Sequence, residues 1–100
     1  MTIAFDIDGC WSLAPFMWLR FYINAKGAGH ICIFVTGREQ PREKLERLSI
    51  PDNAIIIVSG SRFKKQAALD TGYSVDIWID NEPGTIEPAK ILASANNDSL

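Results

Sequence analysis

Cysteine, histidine and surplus charge are all scarce in this chain. Two cysteines among 100 residues, Cys10 and Cys32, make no disulfide framework, and with no CxxC pair and a single histidine, His30, no zinc site is expected either. Cys10 falls in a turn and Cys32 inside an apolar run, so free thiols are the expectation. Ten Lys plus Arg stand against 12 Asp plus Glu, for a net charge of -2, which offers no general basic field to nucleic acid or anionic lipid. A nucleic-acid partner is not favoured. Long apolar runs are missing as well. The most apolar stretch, Leu13 to Ile23, is interrupted by Pro15 and Arg20 and falls short of the roughly 20 residues a membrane span needs. The opening MTIAFDIDG has no basic segment and places two acids where a signal peptide is apolar, which predicts an intracellular, cytoplasmic protein with no membrane partner. There is no internal repeat and no linker.

What is present is enough apolar surface for one core. With 47% hydrophobic and 22% charged residues over residues 1–100, the chain offsets the entropy of ordering and is expected to fold as a single domain. Four β-branched apolar runs read as strands: Ile3 to Ile7, Ile31 to Val35, Ala54 to Val58 and Val75 to Ile79. Each is almost continuously apolar, as strands covered on both faces are. Helical segments fit between them. Ser12 to Ala28 ends at Gly27 and Gly29; Pro41 to Leu48 starts with a first-turn proline and carries Glu43 and Arg47 at i,i+4. A third runs from about Arg62 to Asp70, with Ser61 as cap and Gly72 as terminator, and a last from about Pro88 to Ala95 before a fraying tail from about Asn96. Strands alternating with helices predict an α/β, Rossmann-like domain: a doubly wound parallel sheet of about four strands with helices on both faces.

Ligands of such sheets bind outside the carboxyl ends of the strands, and there the polar residues collect. The runs end in Asp6-Ile7-Asp8-Gly9, Thr36-Gly37-Arg38, Ser59-Gly60-Ser61 and Asp80-Asn81-Glu82-Pro83-Gly84. Asp6, Asp8 and Asp80 converging without basic neighbours would repel one another, and a hard cation such as Mg²⁺ is the usual remedy. Bound Mg²⁺ attracts phosphate in turn. Thr36 supplies a hydroxyl, the backbone N–H groups that follow it at Gly37 supply donors, and Lys64 or Lys65 supplies a positive charge. Neighbouring helix residues diverge by about 100°, so only one of the two lysines can serve; Lys64, nearer the helix start, is preferred and Lys65 is the second choice. Acid, hydroxyl, amine and metal together make a phosphoryl-transfer site.

These residues resemble the haloacid dehalogenase superfamily, whose members are mostly Mg²⁺-dependent phosphatases. IAFDIDG is similar to its first motif, IFVTGR to the second, and FKK followed by VDIWIDNEP to the third and fourth, in the family's order across residues 3 to about 84. The resemblance implies that Asp6 is the nucleophile forming an aspartyl-phosphate and that Asp8 is the general acid that protonates the leaving oxygen and then activates water. It also implies that Asp6, the main-chain carbonyl of Asp8, and Asp80 hold Mg²⁺, while Thr36, Gly37 and the lysine bind the phosphoryl group of a phosphomonoester. Two positions depart from the family pattern. Asn81 stands where a second acid is common, lowering the negative charge at the metal unless Glu82 compensates, and Cys10 follows DxDG where Thr is frequent. Only about 21 residues separate Gly9 from His30, and Gly37 to Ala54 is similarly short, so there is almost no room for the family's cap domain. A capless, open site facing a phosphorylated substrate is expected.

Other classes compete with a hydrolase. Receiver domains also join clustered acids, Thr and Lys to an aspartate that accepts phosphate, but in the order acids, Asp, Thr, Lys, whereas the order in this chain is acids, Thr, Lys, acid. A degenerate hydrolase binding Mg²⁺ and phosphate without turnover is the further alternative, kept open by Asn81. Arg38, Ser59, Ser61 and His30 read more simply as solvent, turn, cap and structural residues, Trp78 as core, and Trp11 as either core or substrate-side. From Phe16 to Ile23 apolar side chains occupy nearly the whole helix circumference, which predicts a homodimer burying that face, unless the last helix covers it within one chain.

Overall fold

Isoleucine, valine and phenylalanine make up at least half of every strand, because their stiff or bulky side chains suit a pleated, buried surface. The computed structural model describes residues 1–88. Along the chain come β1 (Thr2–Phe5), a 3₁₀ turn (Trp11–Leu13), α1 (Pro15–Gly27), β2 (Ile31–Thr36), α2 (Arg42–Arg47), β3 (Ile55–Val58), α3 (Lys64–Asp70), β4 (Ile77–Ile79) and a second 3₁₀ turn (Pro83–Thr85). The strands form one all-parallel sheet in the order β3-β2-β1-β4. The chain therefore begins in the interior of the sheet, builds outward through β2 and β3, then crosses back to set β4 on the other side of β1. That reversal makes the carboxyl ends of β1 and β4 the topological switch point, where open α/β sheets form their ligand crevice.

Strand periodicity divides the core into two faces. Ile3, Phe5, Cys32 and Phe34 point to one side and meet Trp11 and Tyr22, with Trp18 and Leu19 of α1 and Leu45 of α2 against them. Ala4, Ile33, Val35 and Ile57 point to the other and meet Ala67 of α3. Small residues at Ala4 and Ala67, both fully buried, let α3 lie close to the sheet. Helices thus cover both faces, giving the doubly wound arrangement. Trp11 proves to be core: it is fully buried, stands edge-on to Phe5 and Phe34 with ring centroids 5.3 and 4.9 Å away, and donates its indole N–H to the Leu48 carbonyl at 2.8 Å. Trp78 is half-buried against the second face, and the ring of His30 lies 3.0 Å from the amino terminus. Cys10 and Cys32 are free thiols.

Several local expectations are corrected. The helix foreseen over Ser12 to Ala28 is broken, because Pro15 cannot continue a preceding turn and instead opens α1. β1 stops at Phe5 and β4 begins at Ile77, since the chain must turn out of the sheet at Asp6 and enters it late from the Gly72 turn. Ser61 is not a cap: α3 begins at Lys64, with Phe63 at the cap position and no side-chain bond there. In α2 the i,i+4 ion pair is Arg42 with Glu46 at 3.4 Å, not Glu43 with Arg47. The helix foreseen from Pro88 to Ala95 and the tail after it lie outside the described residues, Pro88 excepted. Among the described residues, no helix is long and apolar enough to cross a membrane.

Candidate functional site

Asp6 directly follows β1, and its N–H still donates to the Ile79 carbonyl of β4 at 2.9 Å, so its carboxylate is fixed at the mouth of the switch-point crevice. The chain then turns at Gly9, whose φ of +77° favours glycine and whose absent Cβ would lie 2.7 Å from the amide nitrogen of Asn81. This close approach brings the loop after β1 against the loop after β4. The Cys10 thiol adds a second tie, donating to the same Ile79 carbonyl at 3.4 Å; burial, reinforced by the nearby charges of Asp6 and Asp80, pushes its pKa up and keeps it protonated.

Lys64, the first residue of α3, reaches under both loops. Its ammonium donates to Asp6 Oδ1 at 2.9 Å and to Asp80 Oδ2 at 2.8 Å. The other oxygen of Asp80 accepts the Glu82 N–H at 2.8 Å. Side-chain exposure is 6% for Lys64, 7% for Asp6 and 1% for Asp80, so this triad sits in a medium where charges interact strongly. Burial raises the pKa of Asp6 despite the opposing pull of Lys64. For Lys64 burial acts to lower the pKa, but the two carboxylates outweigh it and raise it, so the ammonium stays charged. Lys65 points away and pairs with Glu87 at 3.1 Å on the surface. Of the two lysines, Lys64 is the one that enters the site.

Asp8 has its own partners. The Lys44 ammonium of α2 donates to Asp8 Oδ1, the Gln40 amide donates to Oδ2 at 2.9 Å, and the Arg38 guanidinium lies 4.0 Å away. The Lys44 hydrogen bond, aided by Gln40 against some burial, holds the Asp8 carboxyl below its ordinary value. The picture of acids converging without basic neighbours is therefore overturned: helix starts and loops far away in sequence bring a lysine to each. Gln40 also donates to Thr36 Oγ1 at 3.1 Å, linking the second strand end to the first. Thr36 is buried, and the Ser59 N–H holds its carbonyl at 2.8 Å, which makes Ser59 a brace between β2 and β3. Arg62 braces the same corner, donating to the Ser59 and Val58 carbonyls and pairing with Asp70 at 3.0 Å.

Asp6, Asp8, Thr36, Gly37 and Lys64 line one open cleft of about 540 Å³. Asp80 does not line the cleft; it bonds Lys64, which does. The chain matches no family model, no curated protein and no solved structure.

Asp6 Oδ1 and Asp80 Oδ2 both bond the Lys64 ammonium, so a hard cation would meet these two carboxylates beside that ammonium or in its place. Carboxylate oxygens are the ligands Mg²⁺ prefers. Among the described residues no three His, Cys, Asp or Glu side chains gather closely enough to hold a metal by themselves. Asn81 packs its amide beside Gly9.

Gln40 and Lys44 escape a reading of the sequence. Gln40 lies in the loop before α2, where no periodicity marks it, and Lys44 is one of several cationic residues on a short helix, beside Arg42 and Arg47.

Proposed function

We propose that this protein is a Mg²⁺-dependent phosphatase that hydrolyses a phosphomonoester through an aspartyl-phosphate on Asp6. The observation that carries the reading is the meeting of Asp6, Asp80 and Lys64 at the switch point, with Asp8 and Thr36 on the same cleft. A carboxylate oxygen of Asp6 attacks phosphorus, the ester P–O bond breaks, and Asp8, which takes up a proton only once it leaves the Lys44 ammonium, gives that proton to the departing oxygen. Water then attacks the aspartyl-phosphate, Asp8 takes its proton, and inorganic phosphate leaves with the Asp6–phosphorus bond broken. Thr36 and the Gly37 N–H orient the phosphoryl oxygens, and Lys64 offsets charge developing there. Asp6, Asp80 and the Asp8 carbonyl would hold Mg²⁺, which supplies Lewis-acid stabilisation of the phosphoryl group when bound. The short connections on either side of β2 hold only the first 3₁₀ turn, α1 and α2, which supports an open site taking accessible phosphate groups.

The test is turnover of a panel of phosphomonoesters with and without Mg²⁺, against an Asp6→Asn control. Turnover that needs both Mg²⁺ and Asp6 is expected. A second reading, binding of Mg²⁺ and phosphate without hydrolysis, draws on the grip of Lys44 on Asp8; saturable phosphate binding with no turnover on any ester would favour it.

A further inference from the structure

We infer that a groove beside the cleft receives the alcohol part of the substrate, and that the preferred phosphomonoester carries an apolar leaving group such as an alkyl chain. The inference rests on the phosphatase reading. The groove, of about 450 Å³, runs between α3 and the segment that follows the second 3₁₀ turn, with Phe63, Leu69 and Ile86 among its walls. Ser61, Arg62 and Phe63 line both this groove and the cleft of Asp6 and Lys64. A substrate whose phosphate lies in the cleft has only to pass Phe63 to enter it. The far wall is pinned to the start of α3 by two contacts. The Lys65 N–H donates to the Ile86 carbonyl at 3.0 Å, and the Lys65 ammonium bonds Glu87 at 3.1 Å.

The charged side chains along the groove already have partners, and this decides the chemistry of the occupant. Arg62 donates to the Ser59 and Val58 carbonyls and pairs with Asp70. Gln66 donates to the other oxygen of Asp70 at 2.7 Å, and Lys65 is taken by Glu87. An ionic body would have to break one of these contacts to be recognised. The apolar side chains carry no such commitment. Phe63 and Leu69 are 43% and 47% exposed, and their six-residue separation spans roughly 9 Å along α3, enough to lie beside a chain of several carbons. Covering them takes apolar surface out of water. The phosphate held in the cleft supplies the polar contacts that fix orientation, the usual division of labour in a ligand site.

Straight-chain alkyl phosphates from ethyl to hexyl test this, because their leaving oxygens are almost equally basic and only the apolar length changes. Each methylene buried in the transition state is worth up to about fourfold in kcat/KM. With about two of the added methylenes buried, kcat/KM should rise more than about 10-fold from ethyl to hexyl phosphate. Leu69→Asn and Phe63→Ala should each cut that hexyl-to-ethyl ratio by about threefold or more, whereas Leu69→Met, which keeps an apolar surface, should retain it. The ratio is the readout because Phe63 precedes Lys64: a displaced Lys64 slows every ester alike and leaves the ratio as it was. A ratio near one in the unaltered chain, the result expected if a second copy of the chain fills the groove, would overturn the inference. Turnover that still needs Mg²⁺ and Asp6 would then leave the phosphatase reading standing. A high ratio that neither Leu69→Asn nor Phe63→Ala lowers would also overturn the inference. No turnover of any ester by the unaltered chain would overturn both.

Discussion

Replacing Lys64 with methionine tests the centre of the site without any substrate. Met keeps the length and apolar stem of lysine but not its charge, so Asp6 and Asp80 would face each other across a pocket in which both are at most 7% exposed. Removing one partner of a buried ion pair costs about 3–5 kcal/mol, because the remaining charge is left uncompensated; in this triad two carboxylates are left. Against a total stability of about 5–15 kcal/mol for a domain of this size, Lys64→Met should consume about a fifth or more. Since each kcal/mol shifts Tm by roughly 4–8 °C in domains of 60–100 residues, a drop of more than about 10 °C is expected. Two additions sharpen the assay. Asp80→Asn on the Lys64→Met background should restore much of the lost stability, since one carboxylate no longer has to be buried against another. Mg²⁺ should raise the Tm of Lys64→Met, by about 2.7 kcal/mol in stability terms at a hundredfold excess over its Kd, because it replaces the missing positive charge. A Lys64→Met protein within about 1 kcal/mol of the unaltered chain in metal-free urea unfolding would refute the reasoning.

Asp8→Asn should leave Asp6 able to accept phosphate from an aryl ester yet slow its release, so intact-mass measurement should find phosphate retained on the protein; no retained phosphate under conditions of rapid nitrophenol release would contradict the roles given to the two acids. Lys65→Ala, which breaks only the surface pair with Glu87, should alter turnover by less than about twofold, far less than any Lys64 substitution. Asp70 is held below its ordinary value of 3.8 by Gln66 and Arg62, so its contribution to stability is present above that value and lost as the pH falls through its lower folded value. The Tm difference between Asp70→Asn and the unaltered chain should accordingly shrink as the pH is lowered from about 7 to below 3.8; a difference that does not change with pH would mean that packing, not charge, is responsible. Phe16, Met17 and Ile23 lie 74, 56 and 57% exposed on α1, and sedimentation at micromolar concentration should find a two-fold dimer that Phe16→Glu together with Ile23→Glu converts to monomer. A monomeric unaltered chain would remove that expectation.

The fold was legible because its signals are local and repeated. Apolar runs without polar alternation mark strands covered on both faces, and helix-length segments between them leave little choice but a parallel, doubly wound sheet. Asp6, Asp8, Thr36 and Asp80 could be named as site candidates because each sits where a strand run ends, and the fold class alone sends strand ends to one edge. Lys64 was separable from Lys65 only by its nearness to the helix start; what sends it into the site is that α3 begins at that residue, which depends on how α3 rests on Ala4 and Ile33 through Ala67.

Tertiary structure alone decided the charge environment. No local pattern pairs Asp8 with a lysine 36 positions away, or Asp6 with one 58 positions away, since such contacts exist only after α2 and α3 have packed against the sheet beside β1. Trp11 shows the same division: next to the acidic motif it could face substrate or core, and the choice fell to the Leu48 carbonyl at the end of α2, which accepts its indole N–H. Sequence determines which residues can be buried and which backbone turns can form, because those preferences are written in each side chain. Which charges end up as neighbours is set by packing across the sheet, where distance along the chain carries no information.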